Sequence, residues 1–130
     1  MRYFPRMLDK IRLHARGALA PDYHANLGNG ADGWCLDYLR ITYAPLRDRV
    51  LAGGTDEEIL EWCFANGRRL NKGDLAVWNQ HIQKLGWNDF ATPTLEKLKA
   101  AHGLAHRQDI ITLFQFMDAD EGRFPAPQTA

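Results

Sequence analysis

The feature that constrains the fold of this chain most strongly is a series of short apolar runs, most of them bounded by a proline, a capping residue or a glycine. Within each run the apolar side chains recur every three or four residues, which is the spacing of one helix face. This spacing places Ala15 and Leu51 inward together with the larger apolar residues. No segment alternates over more than four residues, as a strand would. The pattern predicts an all-α fold, a compact bundle of about six or seven short helices with no significant sheet.

Local signals mark where the predicted helices begin and end. Pro5 is suited to the first turn of a helix that Gly17 ends. Thr55 and Glu58 have the spacing of a capping box, and the helix that they open ends at Gly67. The other predicted helices begin at Asp32 as the cap, at Pro45, near 73, at Thr92-Pro93 and near 107.

The chain offers no linker that would divide it. Residues 18–31 are rich in glycine, asparagine and proline and predict a long loop. Residues 124–130 predict an extended or frayed tail. We therefore expect one helical domain over residues 1–123.

Composition excludes several classes of protein. Lys and Arg together number 16, as do Asp and Glu, and this balance argues against nucleic-acid binding, which favours a basic excess. The apolar runs are too short for a membrane span. Serine is absent, which excludes serine hydrolases. The chain start lacks the apolar stretch of a signal peptide, so we expect a soluble, cytoplasmic protein with reduced, buried Cys35 and Cys63.

Four stretches carry a resemblance to a known family. They are the sequence RMLDKIR at 6–12, Asp22-Tyr23, the short helix 34–41 and the sequence DEEILEW at 56–62. Together they resemble a bacterial family of small uncharacterised proteins, domain-of-unknown-function family 5069, over roughly residues 3–118. The resemblance implies a bacterial, all-helical, cytosolic protein. It implies no activity, and no catalytic residues are carried over with it.

Residues 28–33 match the pattern G-x-G-x-x-G and precede a predicted helix. A dinucleotide site would need a strand before the first glycine, and residues 25–27 do not form a plausible one. Asp32 would also place a negative charge where the phosphate should lie. We interpret this stretch as a loop followed by a helix cap, and we expect no cofactor.

Two further stretches superficially resemble metal sites. His102 and His106 are four residues apart, but Gly103 predicts that the helix ends between them. Residues 118–122 begin like a calcium loop but lack its glycine and its closing glutamate at the required positions. We therefore expect no metal.

The first helix is basic, and the last helix ends in acidic residues. Arg6 and Lys10 share one helix face, and Asp9 lies one step round from them. The acidic residues of the last helix have no local cation, and they are Asp118, Asp120 and Glu121. We expect the two ends to pair within the fold; in the alternative, Arg6 and Lys10 form a small anion site.

The leading functional hypothesis is a non-enzymatic binding or protein-interaction domain, acting through a helical surface or a small pocket near the first helix and the 20–34 loop. Its partner would be a small anion or a protein, and the chain would be a monomer or a homodimer. Trp34 and Trp87 are candidates for a pocket wall. In the alternative, the protein is a small-molecule enzyme with Asp9, Tyr23 or His24 as acid–base groups. The predicted ligand-binding residues are Arg6, Asp9, Lys10, Tyr23, His24 and Trp34.

Overall fold

Seven α-helices and one 3₁₀ helix make up the regular structure of this chain in a computed structural model that describes residues 1–122. They are α1 (Phe4–Ala15), the 3₁₀ helix (Pro21–Asn26), α2 (Ala31–Leu39), α3 (Tyr43–Leu51), α4 (Asp56–Asn66), α5 (Lys72–Lys84), α6 (Thr92–Ala101) and α7 (Leu113–Asp120). No strand occurs within residues 1–122, so the all-α prediction is confirmed there. In the same range, no helix combines the length and the apolar character that a membrane span requires. The predicted tail at 124–130 lies outside the described residues.

The helices fall into two compact units, and the boundary between them lies within α5. Unit 1 is Met1–Trp78, and unit 2 begins at Asn79. The expectation of one domain over residues 1–123 stays a prediction.

Unit 1 is built around α1, which packs on α3, while α3 also packs on α4. Full burial of a large apolar side chain contributes roughly 1.5–3 kcal/mol, so this core is the main source of the unit's stability. The indole of Trp78 donates a hydrogen bond to the Arg2 carbonyl at 2.8 Å. The buried apolar side chains of the unit include Phe4, Met7, Leu8, Ile11, Leu39, Leu46, Val50 and Ile59.

Unit 2 is built around the packing of α6 on α7. The backbone N–H of Leu113 donates to the Leu85 carbonyl at 2.8 Å, which joins the residue after α5 to the start of α7. Thr112 and Gln115 form a reciprocal capping box that fixes the first turn of α7. The buried apolar side chains of the unit include Ile82, Leu85, Leu95, Ile110, Leu113 and Phe116.

Most predicted helix ends agree with the structure because they depend on local chemistry. The Glu58 backbone N–H donates to Thr55 Oγ1 at 3.2 Å and caps α4. Gly17 follows α1 with a φ of 69°, in the left-handed region where glycine is favoured. Gly67 is the C-cap of α4, as expected.

Other local predictions are wrong. The last helix begins at Leu113 and not near 107, because the capping box at Thr112 sets its start. Part of the predicted 18–31 loop forms the 3₁₀ helix. Pro45 lies in the third position of α3, which begins at Tyr43. Ala15 and Leu51 are exposed, because each is the last residue of its helix and lies beyond the core contacts.

Candidate functional site

A tyrosine, a lysine and an aspartate are buried together in unit 1. Asp32, which has 0% exposed surface, accepts hydrogen bonds at Oδ1 from the Tyr3 hydroxyl and from Lys10 Nζ, the latter at 3.1 Å. Its Oδ2 accepts from the backbone N–H of Gly28 at 3.0 Å. Both carboxylate oxygens therefore have partners, as a buried charge requires. We call this group the Tyr3–Lys10–Asp32 cluster.

Helix geometry explains how the cluster forms. Lys10 lies three residues after Met7 on the buried face of α1, and Tyr3 is the N-cap residue of that helix, with a φ of 70°. Asp32 lies in the first turn of α2, where the helix dipole stabilises a carboxylate. The prediction that Asp32 caps α2 is wrong, because the N-cap is Gly30 and the carboxylate instead accepts the Gly28 N–H.

Two buried groups that adjoin Asp32, the Tyr3 phenol and the Cys35 thiol, have raised pKa values. Burial, and then the negative charge of Asp32, raise the pKa of the Tyr3 phenol well above its usual range. Burial and Asp32 also raise the pKa of the neighbouring Cys35 thiol. Both groups stay protonated, so Tyr3 remains a hydrogen-bond donor to Asp32.

The glycine loop at 28–33 serves the same cluster. Gly28 has a φ of 76°, and a side chain there would come within 2.9 Å of the Tyr43 ring. The Gly28 N–H binds the carboxylate of Asp32, so the anion on this loop belongs to the chain itself. Residues 1–27, which precede the loop and are all described, contain no strand.

The other residues of the predicted site have different surroundings. Asp9 is exposed on α1, where its carboxylate pairs with Arg12 at 3.0 Å. The His24 ring lies edge-on to His14 with centroids 4.9 Å apart, and its Nε2 lies 2.9 Å from the Leu19 carbonyl oxygen. The remaining residues of the predicted site are half-buried, and they are Arg6, Tyr23 and Trp34. Ligand binding by this set stays a prediction.

The expected pairing of the two chain ends is wrong for two of its members. Lys10 has its partner in Asp32. The Oδ1 atom of Asp120 lies 3.0 Å from the Nδ1 atom of His102, which is the residue after α6. Within residues 1–122, no three His, Cys, Asp or Glu side chains converge as metal ligands would.

Cys35 and Cys63 are both free and buried. Burial raises the pKa of the Cys63 thiol to about 12. Because the thiolate is the reactive form, we expect neither thiol to react quickly with a disulfide reagent in the folded protein at mildly alkaline pH. Both should react once the unreduced protein is unfolded in urea, and fast reaction of the folded protein would contradict this. The exposed variant Ala65→Cys provides the control.

An open groove of about 400 Å³ lies in unit 2. One wall is the turn after α5, with Trp87 and Asn88. Another is the segment before α7, with Ile110 and Ile111. A third is a face of α6, whose lining residues at helical spacing are Thr92, Leu95, Glu96 and Lys99. We call this feature the unit 2 groove.

The turn after α5 is held rigidly by side-chain hydrogen bonds. The Asp89 carboxylate accepts from the backbone N–H groups of Gly86 and Ala91. Thr92 Oγ1 donates to the Gly86 carbonyl at 2.8 Å and accepts from the Asp89 N–H at 3.0 Å. These bonds fix the backbone on either side of Trp87, so the groove wall is formed in advance of any ligand.

The groove combines exposed apolar side chains with a buried cation. Trp87 is 52% exposed and Ile111 is 45% exposed, although both are large and apolar. Lys99 is only 4% exposed, and its Nζ donates to the Ile110 carbonyl at 3.1 Å. The walls of the groove are about equally polar and apolar, and its volume lies in the usual range of small-molecule sites.

Sequence reasoning singled out Trp87 and Lys10 but missed Tyr3, Asp32 as a buried anion, and Lys99. A signal for Lys99 exists, because it follows Leu95 by four residues and so lies on the apolar face of its helix. Lys10 likewise lies on the apolar face of its helix, because it follows Met7 by three residues. No comparable signal points to Asp32, whose burial depends on contacts distant in sequence.

These features define a protein whose described residues, 1–122, are all-helical, with a closed ionic cluster in unit 1 and an open groove of mixed polar and apolar lining in unit 2. The chain belongs to the family described as Domain of unknown function (DUF5069), which it matches over residues 1–123. No curated protein and no solved structure shows significant similarity to it.

Proposed function

We propose that this protein is a non-enzymatic binding protein that takes a small organic molecule into the unit 2 groove. The observation that carries the proposal is the exposure of Trp87 and Ile111 on the walls of a groove of about 400 Å³. Covering such apolar surface is favourable at about 25 cal/mol per Å². A ligand that fills the groove would gain this energy.

The Tyr3–Lys10–Asp32 cluster supports a structural role for Asp32 and not a catalytic one. A general acid or base must reach the proton that it transfers. Asp32 has no exposed surface, and three donors already occupy its carboxylate. The cluster therefore joins α1, the glycine loop and α2.

We also propose that the protein is bacterial and acts in the cytoplasm. The family resemblance implies both, and two buried free thiols are typical of a reducing compartment.

Titration with indole, an uncharged probe, tests the proposed function. We expect saturable changes in the amide NMR signals of Trp87, Leu95 and Ile111, with a dissociation constant on the order of 1 mM for so small a molecule. The variant Ala105→Phe, which places a ring in the groove, should weaken binding about tenfold or more by filling the space.

The matched control is Ala100→Phe, which adds the same ring on α6 at an exposed position outside the groove lining. It should bind indole as the unmodified protein does. Equal binding by both variants, or signal changes confined to unit 1, would overturn the proposed function.

A further inference from the structure

The Lys99 ammonium lies at the wall of the unit 2 groove. Its Nζ is 3.1 Å from the Ile110 carbonyl oxygen and 4.0 Å from Glu96 Oε1. Both of these residues line the groove together with Lys99. The two distances therefore place the positive charge beside the space that a ligand would occupy.

The surroundings leave this cation with hydrogen-bonding capacity. An ammonium group has three N–H donors, and the bond to Ile110 uses one of them. The Glu96 oxygen at 4.0 Å is beyond hydrogen-bond distance, and the Glu96 side chain is 61% exposed. Because burial removes water from Lys99, an anionic oxygen entering the groove would restore much of the lost solvation.

The other side chains that line the groove indicate the shape and charge of the rest of the ligand. The partly exposed indole of Trp87 offers a face for stacking, and Ile111 adds apolar contact. Glu96 at the wall places a negative charge near the cation, which disfavours a ligand with two negative charges.

We infer that the unit 2 groove binds a small, flat molecule with one carboxylate, whose oxygens accept from Lys99 while its apolar body covers Trp87. This inference rests on the proposed function, since it names the ligand class of the same groove. The competing structural explanation is that Lys99 only fastens the segment before α7 to α6 through Ile110.

Three probes with the same ring distinguish the explanations: indole-3-propionate, its uncharged amide, and the cationic tryptamine. Binding is measured by amide NMR titration at matched ionic strength. We expect the unmodified protein to bind the carboxylate about tenfold more tightly than the amide, as a charge-assisted hydrogen bond predicts. Tryptamine should bind more weakly than the amide.

Two variants test the residues. Lys99→Met keeps the apolar stem and removes the charge, so the preference for the carboxylate should disappear while the amide still binds. Glu96→Gln removes the competing carboxylate at an exposed position, so it should raise the preference for the carboxylate over the amide several-fold. This second variant keeps the test decisive if Lys99→Met fails to fold.

The failures of the two proposals are separable. If indole and the amide bind in the groove but the carboxylate gains nothing over the amide, the ligand class is wrong and the groove remains a binding site. An unchanged carboxylate preference in Glu96→Gln would also overturn the role of Lys99. If no probe changes the signals of Trp87 and Ile111, both the inference and the proposed function are wrong.

Discussion

Replacing Asp32 with asparagine should lower the free energy of unfolding by about 3–5 kcal/mol, the usual cost of removing one partner from a buried ion pair. The reason is that Lys10 stays buried while the charge that compensates it, 3.1 Å away, is lost. Urea unfolding at neutral pH, followed by far-ultraviolet circular dichroism, measures the loss.

The control for Asp32→Asn is Asp9→Asn in α1. Asp9 also pairs with a cation, Arg12, but its side chain is 65% exposed, so the same substitution should change stability by about 0–1 kcal/mol. The double variant Lys10→Met with Asp32→Asn should lose less than the two single variants combined, because no uncompensated charge is left. Equal losses from Asp9→Asn and Asp32→Asn would contradict a buried ion pair.

Replacing Gly67 with alanine should destabilise the protein by about 3 kcal/mol or more, at the upper end of the usual cost of overpacking. A Cβ at this position would lie 2.1 Å from the Leu39 carbonyl oxygen and 2.9 Å from that of Arg40. These are backbone atoms, which cannot swing away as a side-chain end can. Leu39 O also accepts from the Arg68 N–H at 2.8 Å, so relief of the clash would break this bond between the ends of α2 and α4.

Gly17→Ala separates this steric effect from the general cost of losing a glycine. Gly17 has a φ of 69°, and a Cβ added there would meet no heavy atom within 4 Å. Alanine at this position should therefore cost only about 1–2 kcal/mol for the left-handed backbone. The comparison uses the same urea unfolding. If the two variants lost similar amounts of unfolding free energy, the close contact between α2 and α4 would not be the reason that position 67 needs glycine.

Helix boundaries were predictable where a local interaction sets them. The cap at Thr55 needs only a hydroxyl and a backbone N–H three residues later, and both are visible in the sequence. The predicted start of α7 near 107 is wrong because the apolar spacing continues back to Ile110, which is buried although it lies outside the helix. Periodicity shows which residues face the core, but it does not show where the backbone leaves the helix.

The candidate groove was predictable only in fragments. Trp87 was identified as a possible pocket wall from its residue type, but its exposure depends on the turn that Asp89 and Thr92 hold in place. The pairing of Lys99 with Ile110 joins residues that no helical spacing connects. A groove is formed by segments meeting in space, so its lining is absent from any single stretch of sequence.

The sequence by itself determined that this chain forms short helices, where several of them begin and end, and that its two cysteines are buried and unpaired. Helix propensity, caps and apolar spacing act over one or two turns, so these features are written in neighbouring residues. Only the tertiary structure decided that Asp32 lies against Lys10 and that Lys99 lines a groove beside Trp87. Those arrangements depend on burial. Burial removes water from a charge, so the free energy of folding depends strongly on which distant group becomes its partner.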